Sequence, residues 1–350
     1  MTRATIADVA ARAGVSKSTV SHALSGKRPI SVETRTRIQQ AIDELGYQPH
    51  PIAQRLAGGR TRTVGFVFPL FAPHITGLEM KFITGAANII NQADYAFLLL
   101  THPQPDSSHV KQFMQSGLVD GFILMQVHLT DPRVELLRQA ALPFVLVGRC
   151  ADNSGLTYVD LDINQAMTVC VDHLAGLGHQ TIAYLHQDAP DFGFAARALH
   201  SFSVVCQQHQ LTPISQPCTL SSASGAAAMQ TVLEQHPETT AVIIWNDTAA
   251  WGAVQAAQAH GRRIPQELSL ICFEFAAISN LLPFKPTVVD IHAEKIAAQA
   301  ASMMIALLQN DWPLERSQVL LAPTLIIGDS TAPPPEQALG DNLPGLAKEV

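Results

Sequence analysis

The chain has 350 residues, of which 47% are hydrophobic and only 15% charged, enough apolar material for a large buried core and more than one domain. No run of 18 apolar residues occurs, and no apolar leader segment follows Arg3. The five cysteines (Cys150, Cys170, Cys206, Cys218, Cys272) are odd in number and never form a Cys-x-x-Cys pair. These features argue against a membrane span, a zinc ribbon and a disulfide scaffold, and they predict a cytoplasmic protein with reduced thiols and no metal or other cofactor.

The net charge of −7 hides an asymmetry, because residues 1–62 carry ten Lys/Arg against four acids and the remainder carries 12 against 25. A basic head is attracted to a polyanion and an acidic body is repelled by one, so such contact is confined to the head.

In chain order, Thr5 is placed to cap a first helix, with Asp8 in its first turn. Ile6, Val9, Ala10 and Ala13 follow helical spacing, and Gly14 ends the run. Ser16 caps a second helix that turns Val20 and Leu24 inward. Ser31 opens a third, with Glu33 in its first turn, an inner stripe of Ile38, Ala41, Ile42 and Leu45, and Gly46 as its stop. Helix, glycine turn and helix make a helix-turn-helix, whose second helix fits the DNA major groove. Lys17, Ser18, Ser21 and His22 occupy its outward face and suit base edges or phosphates. Pro49 and Pro51 then break the chain, and 52–57 is either a plain linker or a hinge helix. So short a helix needs outside support, such as a twin and a DNA minor groove into which Leu56 is a wedge.

The run TIADVAARAGVSKSTVS (5–21), followed by Thr34-Arg35, LGYQP (45–49) and Ala53-x-x-Leu56, resembles the lactose repressor/galactose repressor (LacI/GalR) family of bacterial transcription regulators. The resemblance implies that Thr5, Ser16, Lys17, Ser18, Thr19, Ser21 and His22 contact double-stranded DNA, with Lys17, Ser18 and His22 reading operator bases. It implies that Leu56, with Ala53 beside it, inserts at the centre of a palindromic operator bound by a homodimer. His22 stands where Arg is commoner, and His50 where Asn is commoner. Imidazole offers one donor and one acceptor in place of a bidentate fork, so the preferred half-site differs at one symmetric base pair.

Beyond residue 62, apolar runs alternate with helical stretches: VGFVFPL (64–70), AFLLL (96–100), GFILMQV (121–127), FVLVG (144–148), TIAYL (181–185), AVIIW (241–245) and SLICF (269–273). This pattern predicts parallel sheets covered by helices on both faces, in two lobes with a cleft at the carboxyl ends of the strands. It does not by itself separate a sensor from a doubly wound enzyme. Asp160-x-Asp162 could be a metal pair or could cap the turn and helix after a strand. No phosphate-binding glycine loop, His-Glu-x-x-His or Gly-x-Ser-x-Gly occurs, which argues against an enzyme.

The segments HLAGLGHQTIA (173–183), NDTAAWGA (246–253) and IPQELSLI (264–271) are similar to the periplasmic-binding-protein-like core of the same family. The implied organisation is a helix-turn-helix domain (1–48), a hinge and linker (49–61), and a two-lobed α/β core (62–330). The N-lobe takes about 62–160 and 291–321, the C-lobe about 161–290 and 322–330, and a Pro-rich tail at 331–350 is expected to be disordered.

Effector contacts implied by the resemblance are Asn246, Arg197 and Glu274, with Arg149, Phe71 and His74 at other cleft-facing positions. Asn246 reads equally as a helix cap, Arg149 as a surface cation and His74 as a loop histidine. The retained polar groups favour a sugar or sugar derivative, although Phe275, where the family has an acid, leaves room for another ligand.

Overall fold

A computed structural model describes residues 4–25, 30–47, 61–69, 77–102, 107–273, 284–309 and 318–335. Of the sequence-predicted site residues, Ala53, Leu56, Phe71, His74 and Glu274 lie outside these.

The head is three helices: α1 (Ile6–Ala13), α2 (Lys17–Ser25) and α3 (Val32–Leu45). Asp8 accepts from both the amide and the hydroxyl of Thr5, at 2.8 and 2.7 Å, which ties the start of α1. Gly14 and Gly46 follow α1 and α3 at φ +65° and +58°, a conformation that costs glycine least. Val9, Ala10, Ala13, Val20, Ile38, Ala41 and Tyr47 form the buried centre. Leu24 and Leu45, expected to point inward, are each 36% exposed. So small a unit fills its centre with one to three side chains per helix, and these leucines, in the last turns of their helices, sit at the rim.

The core contains two six-stranded sheets. The first uses β1 (Thr63–Val67), β2 (Ala96–Leu100), β3 (Gly121–Leu124), β4 (Phe144–Val147), β5 (Tyr158–Leu161) and β11 (Gln318–Leu321), in the order β11-β5-β4-β3-β1-β2. The second uses β6 (Thr181–Gln187), β7 (Thr212–Cys218), β8 (Ala241–Ile244), β9 (Ser269–Phe273), β10 (Thr287–Asp290) and β12 (Thr324–Ile326), in the order β12-β10-β9-β8-β6-β7. All pairings are parallel except β10 with β12. The central strands β3, β8 and β9 are buried along their whole length, as expected for sheets covered on both faces. Their helices are α4 (Gly77–Gln92), α5 (Ser107–Ser116), α6 (Pro132–Gln139), α7 (Ile163–Gly176), α8 (Gly193–Gln208), α9 (Ser222–Gln235), α10 (Asp247–Ala259) and α11 (Ala293–Gln309).

The chain passes between the lobes three times: from β5 into α7, from β10 into α11, and from β11 into β12. At the second passage His292 has φ +55°, hydrogen-bonds Asp290, and reaches Thr324 beyond the third at 2.9 Å. Asp162 caps α7 by accepting from the Gln165 amide, and Asp160 accepts from the Leu161 amide and Arg149, so this pair serves the turn.

The end of the second lobe extends past residue 330, where a disordered tail was expected to begin. Ser330 is fully buried, Thr331 hydrogen-bonds His173, and Ala332 bonds both Ser269 and the buried His179. Docking of the chain here gives these polar groups hydrogen-bond partners. None of the five cysteines forms a disulfide, and all five are buried. Among the described residues no helix is long and apolar enough to cross a membrane.

Candidate functional site

On the head, the Ser16 hydroxyl accepts from the Thr19 amide at 3.1 Å and hydrogen-bonds the hydroxyls of Ser18 and Thr19, which caps α2. Burial of Val20 fixes which side of α2 faces inward, leaving Lys17 and Ser18 exposed and Ser21 and His22 half-buried at the surface. Thr5, exposed at the start of α1, and the capped start of α2 present hydroxyls and amides beside Lys17. A helix start of this kind attracts phosphate, because its free amides and dipole are positive.

Between the lobes lies a cavity of about 490 Å³, within the usual range of ligand sites. Its lining comes from the carboxyl ends of strands in both sheets: Phe68 after β1, Met125 and Gln126 after β3, Gln187 at the end of β6, Trp245 and Asn246 after β8, and Phe273 of β9. Parallel strands aim their last residues at one edge, which explains why the cavity opens there. The walls are mostly apolar, and six aromatic side chains contribute to them: Phe68, Phe82, Phe192, Phe194, Trp245 and Phe273.

Asn246 is buried, and its Oδ1 caps α10 by accepting from the Ala249 amide at 2.8 Å. Its Nδ2 is buried without a hydrogen-bond partner, and the residue is part of the cavity lining. The helix-cap and ligand readings of this residue are therefore compatible.

Along one side of the cavity the lobes touch through backbone. Gly193 donates to Val127, Leu129 donates to Asp191, and His128 bridges Phe192. The touching segment, 125–131, is held by an ion pair with no solvent exposure. Arg133 bonds Asp131 at 2.7 Å and also donates to the carbonyls of Met125 and Gln126. Burial pushes the Asp131 carboxyl up, and the Arg133 bonds outweigh this and hold it below the usual carboxylate range.

Residues 5–50 match the model for bacterial regulatory proteins of the lacI family, and residues 171–331 match the model for a periplasmic binding protein-like domain. The chain belongs to the LacI family. It is a DNA-binding transcription regulator, not an enzyme. The HTH-type transcriptional regulator AglR of Rhizobium meliloti (strain 1021) is 29% identical over 342 residues, covering 93% of each chain. Two solved structures share the fold. A transcriptional regulator CelR–cellobiose complex has a TM-score of 0.71 at 24% identity, covering 94% of this chain and all of that one. A lac repressor dimer bound to operator and the anti-inducer ONPF has a TM-score of 0.79 at 22% identity, covering 95% of this chain and all of that one.

Of the sequence-predicted effector residues in this LacI-family core, only Asn246 lines the cavity among those described. Arg149 and Arg197 do not. Arg149 pairs with Asp160 at 2.8 Å and lies over the Tyr158 ring, while Arg197 donates to the carbonyls of residues 149 and 150. Each guanidinium is taken up by an internal acceptor, with burial lowering the pKa of Arg197 and raising that of Asp160. Arg197 thus joins α8 of one lobe to the loop after β4 of the other. Gln126 and Gln187, by contrast, line the cavity and were not expected there. A visible signal existed, since each glutamine follows an apolar strand run, GFILM and TIAYLH.

Proposed function

We propose that this LacI-family regulator is a cytoplasmic repressor that binds a palindromic operator as a homodimer, with operator affinity set by a small polyhydroxylated effector. In this reading Lys17, Ser18, Ser21 and His22 reach bases or phosphates, and Thr5, Ser16 and Thr19 support them at the helix starts. Ala53 and Leu56 act at the operator centre. The observation that carries the effector half is the apolar cavity between the lobes, with six aromatic side chains and Asn246 among its lining residues. Aromatic faces suit the apolar face of a sugar ring, and an amide suits its hydroxyls. The CelR neighbour is a cellobiose complex, and the lac repressor neighbour is a dimer on its operator, both in keeping with this reading.

The mechanism is linkage. An effector that fits one arrangement of the lobes better shifts the population toward it, and the spacing of two heads on DNA follows. Selection of bound duplexes from a random pool by the full-length chain, repeated with a panel of sugars, tests it. The expected result is a palindrome whose recovery changes with one sugar. Recovery of no preferred duplex under any condition overturns it.

A further inference from the structure

Residues 61–63, where the chain coming from the head enters the core, are fastened to a single carboxylate. Asp120 Oδ1 accepts from the amide and the hydroxyl of Thr61 at 2.9 and 2.8 Å, and Oδ2 accepts from the Arg62 amide at 2.8 Å. The Asp120 amide in turn donates to the Thr63 carbonyl at 2.8 Å. Both side-chain oxygens are thus engaged, and bonds to a carboxylate are stronger than neutral ones. Thr61 and Asp120 stand 59 positions apart, so the clasp is not a local turn.

The backbone held there is an unusual one. Arg62 has φ +51°, a conformation that costs any residue but glycine, so its neighbours must maintain it. Ala96 supports it from the β2 side by donating to the Arg62 carbonyl at 2.7 Å. The Arg62 guanidinium also lies over the buried Tyr95 ring, 5.7 Å from its centre. Asp120 itself has little room to shift. A Cβ on the next residue, Gly121, would lie 2.6 Å from Met304 Cε and 2.8 Å from the Pro143 carbonyl oxygen.

The place of this clasp in the fold separates it from the cavity. β1 and β3 run parallel, so their first residues lie at the sheet edge opposite the one where the cavity opens. The three head helices all precede Thr61 and join the core through it. A head that starts from a fixed point in a fixed direction loses less entropy on reaching its half-site than one on a free pivot.

Resting on the operator reading above, we propose that Asp120 is a positioning residue for DNA binding. It clamps Thr61 and Arg62 so that the linkers of two chains leave their cores at a set spacing and direction. That setting selects the separation of the two half-sites.

Equilibrium binding of the full-length chain to three duplexes tests this: the palindrome recovered by selection, the same palindrome with two base pairs inserted at its centre, and a random duplex. Asp120→Asn keeps the shape of the side chain but puts an NH2 group where one oxygen accepts. It is expected to weaken the palindrome about tenfold and to leave the other two duplexes within about twofold, so that spacing preference falls about tenfold. Thr61→Val removes one of the three bonds and should show the same pattern at about threefold, which keeps the question open to measurement if the asparagine variant does not fold. A role confined to holding the core together would weaken all three duplexes alike and leave the spacing preference unchanged. That outcome overturns the inference, as does wild-type behaviour of both variants. A wild-type chain that prefers no duplex overturns the operator reading as well. A palindrome bound with unaltered spacing preference by both variants overturns the positioning role alone.

Discussion

Gly193 donates its amide proton to the carbonyl of Val127 at 3.1 Å, so the first residue of α8 joins one lobe to the other through backbone alone. A Cβ at this glycine would lie 2.5 Å from the Arg149 carbonyl oxygen and 2.8 Å from Arg197 Nη1. Real Cβ atoms do not approach backbone oxygens that closely, so the lobes must separate or α8 must shift. Gly193→Ala is expected to destabilise the core by about 1–3 kcal/mol, the usual cost of overpacking. Urea unfolding checks the stability, and small-angle scattering checks the separation. An unchanged urea midpoint and scattering profile would show that the close approach is not needed.

Asn246 allows its two roles to be separated. Asn246→Asp keeps an oxygen that can cap α10 and replaces the Nδ2 donor, whereas Asn246→Ala removes both. We expect the aspartate variant to retain wild-type stability within about 0.5 kcal/mol and the alanine variant to lose about 1 kcal/mol, the ordinary value of a cap. Both should lose effector response, read as the change in operator affinity on adding the sugar found by selection. An aspartate variant with full response would remove Asn246 from the effector site.

His179 predicts a pH dependence of stability. It is buried against Thr240, Ser269 and the Ala332 carbonyl, and burial lowers its pKa to about 4. In the unfolded chain the imidazole titrates near 6.5, so between about pH 6.5 and 4 the unfolded state binds a proton that the folded state refuses. Stability therefore falls as pH drops through that window and is insensitive to this group above it. His173, also lowered by burial, contributes in the same direction. Urea midpoints measured across that window should fall toward acid for the wild type and flatten for His179→Gln; parallel profiles would contradict the assignment.

On the head, Lys17 and His22 should affect different quantities. Lys17→Ala is expected to weaken binding to all duplexes and to lower the salt slope by about one, as loss of a phosphate contact does. His22→Arg is expected instead to change the preferred base at one symmetric position of the half-site, because the guanidinium fork matches guanine. Operator selection with the two variants distinguishes these outcomes, and identical preferred sequences for wild type and His22→Arg would remove the second.

Much of the fold was legible because local chemistry and global topology agree. Thr5, Ser16 and Ser31 open the head helices, Gly14 and Gly46 close two of them, and seven apolar runs became strands of the two sheets. β7 was not legible. Its sequence TPISQPC carries Pro213 and Pro217, which a central strand would not tolerate, but it lies at the sheet edge, where the missing amides can face away from the ladder. Short β11 and β12 lack a long apolar run and gain their pairing only from the passages between lobes.

The cavity was less legible than the fold. Arg149 and Arg197 are the residue types that contact ligands, but sequence does not say which acceptor satisfies a guanidinium, and here it is Asp160 or a carbonyl. Gln126 and Gln187, which line the cavity, belong to no motif.

The three passages of the chain between lobes have a consequence for experiment. Neither half of the core is contiguous in the primary structure, so cutting the polypeptide at any one point cannot release an intact lobe. Three side-by-side straps also resist being pulled apart while still allowing bending and twisting. A change at the cavity can thus reach the head as a rotation rather than as a dissociation, and fragment-swapping between relatives must exchange two segments together to transplant one lobe.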